Sequence, residues 1–502
     1  MGRQDSPGHG LMSGASQDFG DETLHLNMGD GFSSDEDDTE IMHRYGGPQS
    51  PRLHPQSIWP VMFSMVAVVV VLGTVVVLSD IMESGTSQID RACLDGFNVA
   101  DHLGTDSPYP EPSETKWIRS KCNLKHVSII SRGGLKNPTE TVIQDLDQLE
   151  NWIHANIESE AEEVQWLKTW KNKYNEGDAG LLSIVGERSF RDIGRRMREI
   201  YARHLKVTQG DPILVRSTQD QRTSASAEAF LFGFFGIPWK NFTTVDNVSK
   251  GNDAVLKYTD RCHVFTELNS EVSSENSHQE ELHLEKVARK VSKDLDAAST
   301  MKVDDINAVI DGCILEVAEL GRSDRFCSLI APEDWLFREA LREDGNVYSQ
   351  AHELYPFLPR PLWEDLLVSL QSCVNGGEDC QKLDMRFGTE SALVPFLLSM
   401  DLPGKDCLGT ISSLAPVSAN VAFELYEDCN PEGDSDKKQH ENRSQFILRI
   451  RLNERYVEEV PICGAKAYCT MDEFEEFIRN KFSSEDEWEE QCEDSVSTRR
   501  PL

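Results

Sequence analysis

Several things are missing from this chain of 502 residues, and each absence excludes something. Basic residues are scarce: Lys and Arg number 50 against 86 Asp and Glu, a formal net charge of −36. So acidic a chain repels nucleic acid, and any anionic ligand needs a locally positive hollow. No His-Glu-x-x-His and no Cys-x-x-Cys occurs, so the common zinc spacings are absent and no metal site is expected. Cysteine is missing from the first 92 residues; all twelve lie between Cys93 and Cys492. That asymmetry points to a reducing N-terminal side and an oxidising C-terminal side, with pairings that spacing alone leaves open.

What is present divides the chain. Residues 1–57 are rich in Gly, Ser, Asp and Pro, with the acidic block Asp35-Glu36-Asp37-Asp38. Their apolar surface is too small to offset ordering entropy, so a disordered tail is expected there. Ser33 and Ser34, beside the acidic block, are candidate phosphorylation positions. Residues 58–78 then run twenty-one positions without a charge, dominated by Val. At 1.5 Å per residue such a run spans a hydrocarbon core of about 30 Å, and lipid forces it helical. The long polar lead-in favours a transmembrane anchor over a cleaved signal peptide. Arg44 and Arg52 before it, and Asp80, Glu83 and Asp90 after it, place the N-terminus in the cytoplasm.

The far side carries three glycosylation triplets, at Asn241, Asn247 and Asn442, while Asn137-Pro-Thr is barred by its proline. With the cysteine distribution they predict a type II protein whose ectodomain lies in the secretory lumen or outside the cell. Residues 79–116, rich in Ser, Pro and Asp, read as a stalk, and 466–502 as an acidic tail. Between them, residues 142–171, 186–204 and 222–235 show apolar residues at helical spacing. Residues 211–215, 421–426 and 446–454 read as strands.

The stretch that organises the body is V-S-I-I-S-R-G-G-L-K-N-P-T at 127–139. A short β-type run ends in a turn-prone Gly133-Gly134 pair, with Arg132 and Lys136 on a loop whose N–H groups are free to point at an anion. The run resembles the signature loop R-H-G-x-R-x-P of the histidine acid phosphatases, in particular the multiple inositol polyphosphate phosphatases. The resemblance continues through L-V-R-S-T-Q-D-Q-R-T-S-A-S-A-E-A-F around Arg216 and M-R-F-G-T-E-S-A-L-V-P-F from Met385. It covers roughly residues 117–465.

That resemblance implies an α/β fold: a mixed sheet flanked by helices, with the core at about 117–236 and 381–465 and an α-helical insert at about 237–380. It implies hydrolysis of phosphomonoesters such as inositol polyphosphates, without a cofactor. It also shows what has been replaced. The nucleophilic His falls on Gly133, the second His on Thr389, and the proton-donating acid on Ser391. Glu390 is one position off, about 100° round a helix. Arg132, Lys136 and Arg216 are the expected phosphate-binding cations. His126 and His352 sit in no motif that would replace the lost imidazole. The expectation is a family member with impaired or absent turnover that binds a phosphorylated small molecule. The alternatives are a cell-surface or Golgi interaction protein with a vestigial pocket, or an active phosphatase using Glu390 as its acid.

Overall fold

A computed structural model describes residues 91–111, 122–344, 357–404, 407–427, 446–482 and 484–493. The tail at 1–57, the apolar run at 58–78, His352 and Asn442 lie outside the described residues. No helix among the described residues is long and apolar enough to cross a membrane.

The centre is an eight-stranded mixed sheet. The Val/Ile run folds as β1 (Asn123–Arg132), which is buried on both faces over most of its length. Chain order then gives β2 (Ile213–Thr218), β3 (Asp246–Val248), β4 (Leu383–Gly388), β5 (Asn420–Glu427), β6 (Ile447–Leu452), β7 (Arg455–Tyr456) and β8 (Cys469–Thr470). Their order in space is β3-β2-β4-β1-β5-β6-β7, with β8 on β6. β1 to β4 run parallel, while β5 returns antiparallel beside β1. Near-continuous apolar runs suit parallel strands covered on both sides.

One face is covered by α2 (Ile184–Leu205) and α3 (Gln221–Phe235). Phe190, Ile193 and Met197 pack with Phe230 against Val127, Ile129, Val215 and Phe387. The two helices cross at glycines: a β-carbon on Gly194 would lie 2.2 Å from the Phe230 carbonyl, and one on Gly233 would lie 2.0 Å from that of Arg191. The other face is covered by α7 (Arg360–Val374), α8 (Glu390–Leu398), α9 (Thr410–Leu414), α10 (Met471–Lys481) and α11 (Glu485–Glu493), centred on Trp363. A third cluster joins α1 (Glu140–Asn156) with α4 (His263–Asp294), α5 (Val303–Leu320) and the start of α6 (Pro332–Asp344). These helices hold most of the expected insert, but α7 packs on the sheet.

Two expectations are corrected. Residues 91–111 are not a stalk: Val99 and Leu103 are buried in the third cluster, and Cys93 is disulfide-bonded to Cys407. Nor is 466–502 wholly a tail, because α10 and α11 bury Phe474, Ile478 and Trp488, and Cys492 is bonded to Cys262. The remaining described pairs are Cys313–Cys327, Cys373–Cys380 and Cys463–Cys469, and no described cysteine is free. The sequon residues Asn241 and Asn247 are both exposed.

Candidate functional site

The residues singled out from the sequence gather where β1 and β4 end. β1 delivers Arg132 opposite Gly388, the last residue of β4, and Gly133 donates its N–H to the Gly388 carbonyl at 3.1 Å. Gly134 donates to Ser226 Oγ at 3.0 Å, and the Asn137 N–H goes to the Leu181 carbonyl at 2.8 Å. These N–H groups, expected to face an anion, are committed to holding the loop. With these three N–H groups taken, side chains supply most of the positive charge at the strand ends.

Arg132 is 3 % exposed. One of its terminal nitrogens donates to the carbonyls of Thr105, at 2.8 Å, and Ala415, at 3.0 Å. The other donates to Glu390 Oε2 at 3.0 Å, while Nε is buried without a partner. Glu390 opens α8 directly after the N-cap residue Thr389. Its carboxylate points back at Arg132, not at a leaving group. The hydroxyls of Thr389 and Ser391, which the sequence resemblance aligns with the second His and the acid, bond to each other at 2.9 Å. Neither is a proton donor near neutral pH.

Beside Gly133 stands a residue that sequence reasoning passed over. Arg222, in the first turn of α3, lies so close that a β-carbon on Gly133 would meet its Nε at 3.2 Å and its Cγ at 3.4 Å. Burial, and then the neighbouring Arg132, push the Arg222 guanidinium below the ordinary arginine range. It makes no hydrogen bond or ion pair among the described residues. The signal that would have found it is its place in Q-R-T-S-A-S, at the start of the helix after the second strand.

The other two expected cations do not join this pair. Lys136 is exposed, and its backbone bridges to Leu182. Arg216 stands opposite Arg386, two rows back from Arg132 and about 7 Å along the strands. There it donates to Asp365 Oδ1 at 2.8 Å, while Arg386 takes Asp365 Oδ2 at 2.6 Å and Asp384 at 2.6 Å. Asp365 rises from α7 to hold both guanidiniums, which makes this a structural ion cluster. His126 is fully buried, bonds the Gln381 carbonyl at 2.7 Å, and is pushed down by burial, so it offers no substitute imidazole. No cluster of metal ligands occurs among the described residues.

A parallel-centred sheet with helices on both faces and an arginine pair at its strand ends defines a three-layered α/β architecture. The chain belongs to the histidine phosphatase superfamily (branch 2), whose model matches residues 123–453. It is 26 % identical over 387 residues to the thiamine-repressible acid phosphatase pho4 of Schizosaccharomyces pombe, covering 69 % of this chain and 82 % of that one. Its fold is similar to that of the D. castellii phytase, with a TM-score of 0.63 at 15 % identity, over 80 % of this chain and 89 % of the other. It is similar too to the Bifidobacterium longum multiple inositol polyphosphate phosphatase in complex with inositol hexasulfate, with a TM-score of 0.56 at 15 % identity, over 77 % and 99 %.

Proposed function

We propose that this protein binds phosphorylated small molecules, inositol polyphosphates being the leading class, and does not turn them over. The observation that carries this is the incomplete hydrogen bonding of two guanidiniums at the strand ends. Arg132 and Arg222 stand together with Glu390 as the carboxylate on Arg132, and a buried Arg132 Nε is left unpartnered. Two adjacent guanidiniums call for a further anion, and a phosphoryl group matches their fork geometry. A like-folded protein crystallised with inositol hexasulfate supports the ligand class.

Turnover by the family's route needs an in-line nucleophile and an acid for the leaving group. Gly133 has no side chain, and Thr389 and Ser391 are hydroxyls bonded to one another. Losing a covalent nucleophile alone costs about 10⁴–10⁶ in rate. Glu390 does not restore the acid, because it is held against Arg132. A vestigial pocket on an interaction protein is the second reading, favoured by the way Glu390 already occupies Arg132. The exposed sequons and the paired cysteines support an ectodomain in the secretory lumen or outside the cell, anchored through residues 58–78.

Calorimetry of the full-length protein with inositol hexakisphosphate, run beside a phosphate-release assay, tests the proposal. Binding without release is expected, and it disappears when Arg132 and Arg222 are replaced together by Ala. Release within tenfold of the pho4 acid phosphatase overturns it; absence of binding favours the vestigial pocket.

A further inference from the structure

Away from the strand ends, a cavity of about 380 Å³ opens between α1 with its following turns and α5. Its floor is Phe326, against which Trp166 and Trp170 stand edge to face, each with its centroid at 4.9 Å. The floor is seated by an absence. A β-carbon on Gly312 would lie 2.8 Å from the Phe326 ring, so only glycine admits the ring there. The adjacent Cys313–Cys327 disulfide pins the turn that carries Phe326 to α5. The cavity is thus held open by a locked turn, with an apolar aromatic interior of the kind that takes small molecules.

The polar groups around it are unequally committed. Asn172 donates to Ile143 O and Asp147 and accepts from the Tyr174 N–H. Thr169 donates to Trp166 O, and Lys173 is paired with Glu319 at 2.5 Å. Glu316 accepts the Phe326 N–H at 3.2 Å, and burial pushes its carboxyl up, partly opposed by Arg322 and Arg325. Besides the indole N–H groups of Trp166 and Trp170, two lining side chains remain without a hydrogen bond or ion pair among the described residues, and these two are cations: Lys171, and Arg325, whose guanidinium lies over Trp166 at 5.6 Å.

We propose that this cavity is a second ligand site, for an amphipathic organic anion. A flat apolar body lies against the indoles and Phe326, and one carboxylate, sulfate or phosphate group meets Lys171 and Arg325. A cationic mouth on a chain of net charge −36 selects against the protein's own acidic surface and for a small anion.

Titration of the full-length protein in lipid nanodiscs with naphthoate and with neutral naphthamide tests this, with empty nanodiscs subtracted and both heat and tryptophan quenching read. Naphthoate should saturate one site per chain, with naphthamide about tenfold weaker, the effect of one charge-assisted hydrogen bond. Lys171→Glu combined with Arg325→Glu should weaken naphthoate by at least that factor and leave naphthamide and the melting temperature unchanged. Equal affinity for the two probes overturns the proposal without recourse to any variant. So does naphthoate binding that survives the double charge reversal, or the absence of saturable binding at millimolar concentration.

Discussion

Arg222 stands against Gly133 at the end of β1, its Nε 3.2 Å from where a β-carbon on that glycine would be. The position that the sequence resemblance aligns with the nucleophile is therefore bare and also hemmed in, with Thr223 Cγ2 at 3.3 Å from the same point.

Gly133→His should not restore turnover. The new side chain must press on Arg222, one of the two guanidiniums proposed to hold the phosphoryl group, and overpacking of this kind costs about 1–3 kcal/mol. The melting temperature should fall, and p-nitrophenyl phosphate release should stay at background even with Ser391→Glu added. Restored hydrolysis in the single variant would show that Arg222 yields readily.

Glu390→Gln should strengthen anion binding. The carboxylate that bonds Arg132 at 3.0 Å competes with any incoming phosphate. Its neutral isostere leaves the guanidinium uncompensated, so inorganic phosphate affinity should rise about tenfold, on the scale of one charge-assisted hydrogen bond. Calorimetric titration checks it. The same variant would lose activity if Glu390 were a working acid, so the two readings predict opposite signs.

Asp365→Ala should be severely destabilising. It removes the acceptor shared by Arg216 and the fully buried Arg386 and leaves Arg386 with Asp384 as its remaining carboxylate, so the loss should approach but not reach the about 3–5 kcal/mol of a wholly stranded buried charge. Although burial opposes ionisation, Arg386 and then Arg216 hold Asp365 below the usual carboxylate range. With the folded-state pKa depressed, this stabilisation is present above the ordinary aspartate pKa and is lost as pH falls through the lower folded value. Urea unfolding of the two proteins should differ widely at pH 7 and converge under strong acid.

Asp311→Asn should do the reverse. Burial, partly opposed by Arg338, pushes this carboxyl up to about 6, with Asp106 and Asp145 adding to the rise. The folded state then holds the proton more tightly than the unfolded one, and stability falls as pH rises from about 4 to about 6. At pH 7 the amide should be more stable by on the order of 2–3 kcal/mol, the equivalent of about two pKa units. Near pH 4 the two proteins should unfold alike.

The sheet was legible wherever local pattern and burial agree. β1, β5 and β6 are apolar runs, and α2 and α3 carry their core residues at helical spacing, so periodicity alone located them. The C-terminal helices were misread because Asp472, Glu473, Glu485, Asp486 and Glu487 dominate the composition, while only Phe474, Ile478, Trp488 and Cys492 turn inward. Residues 91–111 look like a linker because their order comes from a distant cysteine and from cavities in other elements. At the site, Arg132 could be placed from the loop alone. Arg222 could not, since a basic residue at a helix start reads as solvated until the crossing of α3 over the β1 loop is known. Arg216 is the mirror case: it lies beside the same strands, but α7, distant in sequence, brings the aspartate that claims it.

The Cys93–Cys407 staple has a bearing on how the protein matures. Thr105 holds the Arg132 guanidinium by its carbonyl, and the segment around it is sewn down by this disulfide as well as by buried Val99 and Leu103. A nascent chain whose thiols are still reduced lacks that clasp. Capacity for phosphate should therefore arrive late in biogenesis, with oxidation as the event that switches it on.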